Sequence, residues 1–593
     1  MRRGNWAEAE SLCRARLSAR PHDADATHLL GLVRKQAGDF VSAEQLLRRS
    51  VELAPRRADF HHNLANLLRG RARYGDAEAA FRAALAVDPA FRPARLGLAG
   101  LYNQAGQYAV AESEARRLLA IDARNADAHV ALGVAQRGQG RIGDAEATYR
   151  AALQIAPGNV VARHNLGALL GQLDRAEESI AELDRAAASG LRGREISFNR
   201  GRALFSLYRF DDAEAAFEDA LRAAPADVET HVQLAKIRHM RGDADFARAV
   251  REAAIARASD LRLQLTYAEI LRRGGDREGA ERALRPILRD ERGRTPATLI
   301  ALAATLHEMD RVAEALPLAR EAHVLAPDDG AVSDELVTLL LSAGEPDEAW
   351  PLIERESARN PLNQGWFAYR ATAARLLGRP DYGILYDYDA FVRPYDLAPP
   401  SGWSSIEAFH ADLVPALEAR HRLESHPLDQ SLRGGTQTAR SLLTDPSPVI
   451  RAFIEALAEP IQAYRDALGF DPAHPLRSRN RGATRIVGAW SVRLRRGGYH
   501  VNHVHPEGWV SSAYYVSVPP EVQDETLRSG WIKFGEPRYA VPGVTPERFV
   551  QPRAGRLVLF PSYMWHGTTP ITGDAPRMTI AFDAVPDAGA AGQ

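Results

Sequence analysis

The chain has 593 residues, with 75 Lys+Arg against 76 Asp+Glu and a formal charge of -1 at pH 7. That length exceeds what one hydrophobic core serves, so several domains or a repeat array are expected. The charge balance argues against a general nucleic-acid or membrane-surface binder, and a single cysteine, Cys13, excludes an intramolecular disulfide framework or a cysteine-based zinc site. The N-terminus turns acidic at Glu8 and Glu10, where a signal peptide would have its apolar core, and no run of about eighteen apolar residues follows. A soluble, cytoplasmic protein is the expectation.

The first two thirds form an internal repeat. Blocks of about 34 residues bring a small residue to the middle of each first helix: Gly31, Ala65, Ala99, Gly133, Gly167, Gly201 and Ala235. Farther along each block Ala43, Ala77, Ala111, Ala145, Ala213 and Ala247 recur, and Pro55, Pro89, Pro157, Pro225, Pro327 and Pro361 close the second helix, because proline cannot continue it. Turn pairs such as Gly38-Asp39, Gly75-Asp76 and Gly143-Asp144 separate the helices. This pattern resembles the tetratricopeptide (TPR) family over residues 1–378. The register slips near Gly171–Gly193 and Arg289–Thr295, and the chain starts in the pattern of a second helix. Stacked helix pairs of this kind present a long concave face suited to an extended peptide or partner helix. His61, His62, His129, His164 and His231 fall mostly in first helices and are expected to be solvated or groove-facing.

The periodicity changes after residue 378. Tyr382, Tyr386, Tyr388, Pro394, Pro399 and Pro400 mark a connector over 379–404. Helical patterns follow at Ser405–His421 and Pro448–Leu468, separated by the Gly- and Thr-rich stretch Arg433–Thr438. From Val487 the reading is β: an alternating segment at Val492, an aromatic and β-branched one at Ala513–Val518, and short strands at Trp531–Phe534, Arg556–Phe560 and Met578–Phe582 between Gly/Pro turns. Many short strands in one stretch suggest a sandwich or barrel, with the β core at about 487–586 inside a 405–593 domain.

Four motifs in that region carry chemistry. Gly497-Gly498 is followed by His503 and then His505; Tyr515 ends a Tyr-Tyr pair in an apolar strand; His566 stands just beyond the apolar run Leu557–Phe560; and Arg577, with Thr579 two residues on, opens another strand. Imidazole and carboxylate ligands together suit Fe(II), and an arginine fork suits a carboxylate. In this order the motifs resemble the Fe(II)- and 2-oxoglutarate-dependent oxygenases over about 400–586. The resemblance implies a double-stranded β-helix (jelly roll), hence an α+β multidomain chain, with His503 and His566 as iron ligands. It also implies that Arg577, Tyr515 and Thr579 bind 2-oxoglutarate, with dioxygen as the second cosubstrate.

His505 departs from the family, which has Asp or Glu there. Three readings stay open: His505 ligates in an all-histidine set, water completes His503 and His566, or Glu507 supplies a carboxylate. A halogenase-like site is disfavoured because histidine leaves no room for chloride. For Tyr515 the competing reading is a core tyrosine, and for Arg577 a salt bridge to Asp574 or Asp583. By analogy with collagen prolyl and aspartyl hydroxylases, which also carry TPR segments, the expected substrate is a protein or peptide side chain held by the solenoid. The alternatives are a TPR scaffold with an inactive β domain, and an iron dioxygenase that needs no 2-oxoglutarate.

Overall fold

In the computed structural model residues 6–587 are described. They divide into two compact units, 1–203 and 204–593.

The first unit is a run of antiparallel helix pairs, beginning after the helix Trp6–Ala19 with Ala24–Gln36 and Phe40–Leu53. Small residues let the helices approach. A Cβ on Gly133 would lie 2.5 Å from the Tyr149 ring of the second helix of its pair, closer than packed side chains allow. Asp23, Asn125 and Asn159 cap first helices, each side-chain oxygen accepting an N–H three residues on, worth about 1 kcal/mol per cap. Successive first helices touch one another, as Arg92–Gln104 touches Ala126–Gly138, so they form the inner layer of the array.

The second unit holds the later repeats, the 379–404 segment and the β domain. The repeats run through Leu261–Arg273, Pro296–His307 and Gly330–Ser342 to Gln364–Leu376, the last of them capped by Asn363. The slip near Arg289–Thr295 is a short 3-10 turn, Glu291–Gly293. No slip was expected at Arg248–Ala256, which is cut to nine residues.

Among the described residues nine strands build the β domain: β1 (Arg393–Asp396), β2 (Leu432–Gln437), β3 (Thr484–His500), β4 (Val510–Ser517), β5 (Ile532–Phe534), β6 (Arg548–Val550), β7 (Arg556–Pro561), β8 (His566–Thr568) and β9 (Arg577–Pro586). They make two antiparallel sheets, ordered β1-β7-β4-β9-β3-β2 and β6-β5-β8. This is the jelly-roll α+β architecture expected, with helices Ile406–Glu418, Pro448–Ala456 and Ala458–Leu468 flanking it. Phe409, Phe453, Tyr464 and Tyr514 form part of its buried core.

Two segments differ from their reading. The 379–404 connector is folded: it contributes β1 to the large sheet, and Leu385, Tyr386, Phe391 and Val392 are buried in the core. The Arg433–Thr438 stretch, read as a separator, is mostly strand β2. Its glycines hid it, and they are required. Gly434 has φ +66°, and a Cβ on Gly435 would lie 2.4 Å from Arg493 O, so the pairing with β3 tolerates no side chain there.

The loop from Gly535 to Glu547 runs along the inner face of the later repeats. Tyr539 stacks on His307 with ring centroids 3.8 Å apart. Arg375 Nη1 donates to Gly535 O at 3.2 Å and Thr545 O at 3.1 Å. Val541 and Val544 join the apolar cluster of Leu306, Leu340 and Trp366. These repeats therefore belong to the same compact unit as the β domain.

Candidate active site

Gly497 and Gly498 do not end β3 but make a bulge within it, Gly497 at φ +73°. Beyond His500 the chain turns, and His503 forms a two-way backbone bridge with His566, N to O distances being 2.9 and 3.1 Å. His505 N donates to Ser562 O at 3.0 Å. Both ends of the motif are thus tied to the loop between β7 and β8.

That loop is held from behind. Tyr563 Oη donates to Leu385 O, Trp565 N donates to Tyr386 Oη, and Trp565 Nε1 donates to Thr372 Oγ1, at 2.9, 2.9 and 3.0 Å. Thr372 lies in the helix Gln364–Leu376, so the last repeat and the connector fix the backbone before His566.

The three imidazoles converge. One ligand atom from each of His503, His505 and His566 lies within 4.8 Å of the others. Each Nδ1 faces an acceptor: Val501 O at 2.9 Å, Asp583 Oδ2 at 2.6 Å and Met564 O at 2.9 Å, respectively. Carbonyl and carboxylate oxygens only accept, so each Nδ1 carries the proton and each Nε2 keeps its lone pair. This is the arrangement a divalent metal asks of histidine, with an outer acceptor orienting every ring. Ser431 Oγ, 3.3 Å from His503 Nε2, also contacts His500 Nδ1 at 3.0 Å. Burial, reinforced by the neighbouring imidazoles, pushes His503 down to about 3 and holds His566 well below its usual value. These two rings are therefore neutral at pH 7.

Of the three readings for the third position, the geometry groups His505 with the other two histidines. Glu507 is exposed and stands outside the group. Where the resemblance implies a carboxylate, the chain has an imidazole with a carboxylate behind it, since Asp583 in β9 binds His505 and also accepts from Ser511 Oγ at 2.7 Å.

Arg577 is 2 % exposed. Neither expected salt bridge forms: Asp574 pairs with Arg496 at 3.0 Å, and Asp583 is committed to His505. Among the described residues Arg577 meets no carboxylate. Its Nη1 donates to Gly530 O, and its Nε is buried without a partner. The Tyr515 ring lies 5.7 Å away, its hydroxyl also buried without a partner. Burial pushes Tyr515 up to about 12 against the opposing pull of Arg577. Thr579 stands opposite Tyr515 across the β4–β9 pairing. A buried guanidinium lacking a carboxylate is costly, and Arg577 and Tyr515 line the same cavity as the histidines. That cavity has a volume of about 890 Å³.

Sequence reasoning missed three residues here. His500 and Ser431 line the cavity, and Asp583 was weighed only as a partner for Arg577. The one available signal was a single acid inside the apolar strand β9, directly after the run Ile580–Phe582.

Residues 488–583 match the family described as "Putative 2OG-Fe(II) oxygenase", and residues 1–58, 62–126, 104–160 and 164–228 match tetratricopeptide repeats. The chain joins TPR repeats to a domain of that oxygenase family. No protein of curated function matches it. Among solved structures it is similar to PilF of Pseudomonas aeruginosa, at 18% identity over 35% of this chain and 95% of that one, TM-score 0.31. Yeast Tom70 aligns at 15% identity over 62% and 97%, TM-score 0.28. TTC0263 of Thermus thermophilus aligns at 22% over 33% and 99%, TM-score 0.28. No helix among the described residues is long and apolar enough to cross a membrane.

Proposed function

We propose that this protein is an Fe(II)- and 2-oxoglutarate-dependent dioxygenase that hydroxylates a protein or peptide side chain. The observation that carries the reading is one cavity holding both three convergent Nε2 lone pairs and a buried arginine with no carboxylate of its own. Three protein ligands leave positions open for cosubstrate and dioxygen. His503, His505 and His566 would hold the metal, and Arg577, Tyr515 and Thr579 the distal carboxylate of 2-oxoglutarate.

With Fe(II) bound, 2-oxoglutarate and dioxygen would together supply an oxidant for a substrate C–H, releasing carbon dioxide and succinate. The protein's contribution is positional. Val501, Asp583 and Met564 keep the Nδ1 protons away from the metal side, and Arg577 is held ready at the cavity's buried end. Trp490, nearly parallel to the His505 ring with centroids 6.3 Å apart, and Phe560, 4.6 Å from the His566 ring, keep the site's walls apolar. The solenoid would present the substrate. The inner face of its last repeats is taken by the chain's own 535–547 loop, so a bound partner has the earlier repeats and the cavity mouth available. Cytoplasmic location belongs to the same proposal.

Succinate formation tests the reading. Purified protein with Fe(II) in air is expected to convert 2-oxoglutarate to succinate, and Arg577→Ala to stop it. Oxidation that ignores Arg577→Ala would favour the 2-oxoglutarate-independent dioxygenase. Failure of the full chain to bind iron would favour the scaffold. If deletion of residues 1–203 left turnover of the true substrate unchanged, substrate presentation by the early repeats would be excluded.

A further inference from the structure

The cavity has a second end, and its chemistry differs from that of the first. Its mouth is walled by the later repeats as well as by the β domain. Arg272 and Arg273 come from the helix Leu261–Arg273, Arg277 from the helix that follows, Arg433 from β2 and Arg538 from the 535–547 loop. Two glutamates serve the four outer arginines. Glu308 is shared by Arg272, Arg277 at 3.2 Å and Arg538 at 3.1 Å, and Glu269 by Arg272 and Arg273 at 2.7 and 2.5 Å. Within these pairs four guanidiniums meet two carboxylates, two positive charges in excess before the exposed Glu507 at the same mouth is counted.

Arg433 adds a third. It is half-buried, and its Nη1 donates only to the backbone oxygens of Gln430 and Leu432, at 2.8 and 2.7 Å. Among the described residues it forms no ion pair with a carboxylate. Burial pulls it below the usual arginine range, opposed by Tyr499 and by the more distant Glu308, and reinforced by Arg538 and Arg277. Its Nε and Nη2 have no protein partner among the described residues, which leaves three of its five N–H donors open to solvent or a ligand. Asp429, which also lines the mouth, is committed to Lys236 at 3.0 Å. The surplus is local, since the whole chain carries a formal charge of only -1.

The segment that carries Arg433 also touches the metal-site histidines, because Ser431 contacts both His500 and His503. A group bound by Arg433 would thus lie on a substrate already entering the site. We propose that Arg433, with Arg273 and Arg277 of the solenoid, forms an anion-binding subsite that takes an acidic side chain of a peptide substrate. The inference rests on the reading of the inner site as catalytic, but its binding step needs neither iron nor 2-oxoglutarate. A peptide fits better than a nucleic acid. Glu308 and the exposed Glu507 at the same mouth would repel a continuous phosphate backbone, while a single carboxylate can sit among the arginines. The solenoid's later repeats then do more than present a partner: they supply part of the specificity pocket.

Fluorescence anisotropy of a fluorescein-labelled hexaglutamate on the full-length protein tests this, with hexalysine, a neutral Gly-Ser hexapeptide and a short oligothymidylate as comparisons. Hexaglutamate is expected to bind at least tenfold more tightly than the neutral peptide, and less tightly as salt rises. Arg433→Gln should cost about tenfold and Arg277→Gln about threefold, while Arg294→Gln, on the solenoid but outside the cavity, should change nothing. His566→Ala should bind hexaglutamate like the parent, which separates this result from any failure of the iron site. Should Arg433→Gln fail to fold, Arg277→Gln, at a half-buried position of the solenoid, carries the test. Equal binding of the neutral peptide, insensitivity to both substitutions, or preference for the oligothymidylate would overturn the proposal.

Discussion

The repeat array and the β domain both bury histidine, and they use it differently. His28 in the array stacks on Phe60 at 4.0 Å, with Nδ1 facing Ser50 Oγ at 3.4 Å and Nε2 facing Asn63 Nδ2 at 3.0 Å. Both nitrogens have local partners, and among the described residues His28 belongs to no group of three ligand atoms. His503, His505 and His566 each spend Nδ1 on an oxygen and turn Nε2 toward one another. Burial lowers the proton affinity in both places, so a depressed pKa does not distinguish a ligand from a packing residue. What distinguishes them is which nitrogen is left over and what it faces.

The largest expected effect follows from that contrast. His503→Ala or His566→Ala should weaken Fe(II) binding by more than 100-fold in an anaerobic titration, while His28→Ala leaves it unchanged and instead lowers stability by about 1–3 kcal/mol through the lost packing and the polar partners left behind. Iron binding that survives His566→Ala would break the comparison. Next, Arg577→Ala should keep iron but lose at least 100-fold in 2-oxoglutarate affinity by anaerobic calorimetry, because a neutral cavity end has nothing to offset the cosubstrate's distal charge. Asp583→Asn should be milder, about 10–100-fold in metal affinity. It sharpens the account, since a truly first-position carboxylate would behave like His566.

A smaller effect concerns stability. His421 bridges β2 and β3 through Thr436 Oγ1 at 2.9 Å and Ser491 Oγ at 3.1 Å. Burial, with Arg493 and Arg495 adding to it, pushes its pKa down to about 4. Its unfolded value is about 6.5, so between those values the unfolded chain binds more protons. The stabilisation is present above pH 6.5 and is lost as pH falls toward 4, by up to about 3 kcal/mol. Urea unfolding of the metal-free protein should show that decline, and His421→Gln should flatten it.

Much of this was legible in the sequence because it is periodic or local. The repeat reads from Gly31, Ala65 and Gly133 because close helix crossings exclude larger side chains at fixed intervals. Strands β4, β7 and β9 read from apolar and β-branched runs. What did not read was set by tertiary contact. Strand β2 is spelled with glycines that only its partner's backbone explains, and β1 is four residues that pair far along the chain with β7. Asp583 could be seen as an acid in a strand, but its choice of His505 over Arg577 is decided by the fold. Arg433 looks like any other arginine until the fold shows that it lines the cavity without an ion pair of its own.

The central claim is that one cavity binds iron through three histidines and 2-oxoglutarate through Arg577. Anaerobic addition of Fe(II) and then 2-oxoglutarate, followed by visible absorbance, addresses both halves together. The account predicts a charge-transfer band of the chelated cosubstrate that is lost in both His566→Ala and Arg577→Ala. Iron bound without the band, or a band that persists in Arg577→Ala, would contradict it.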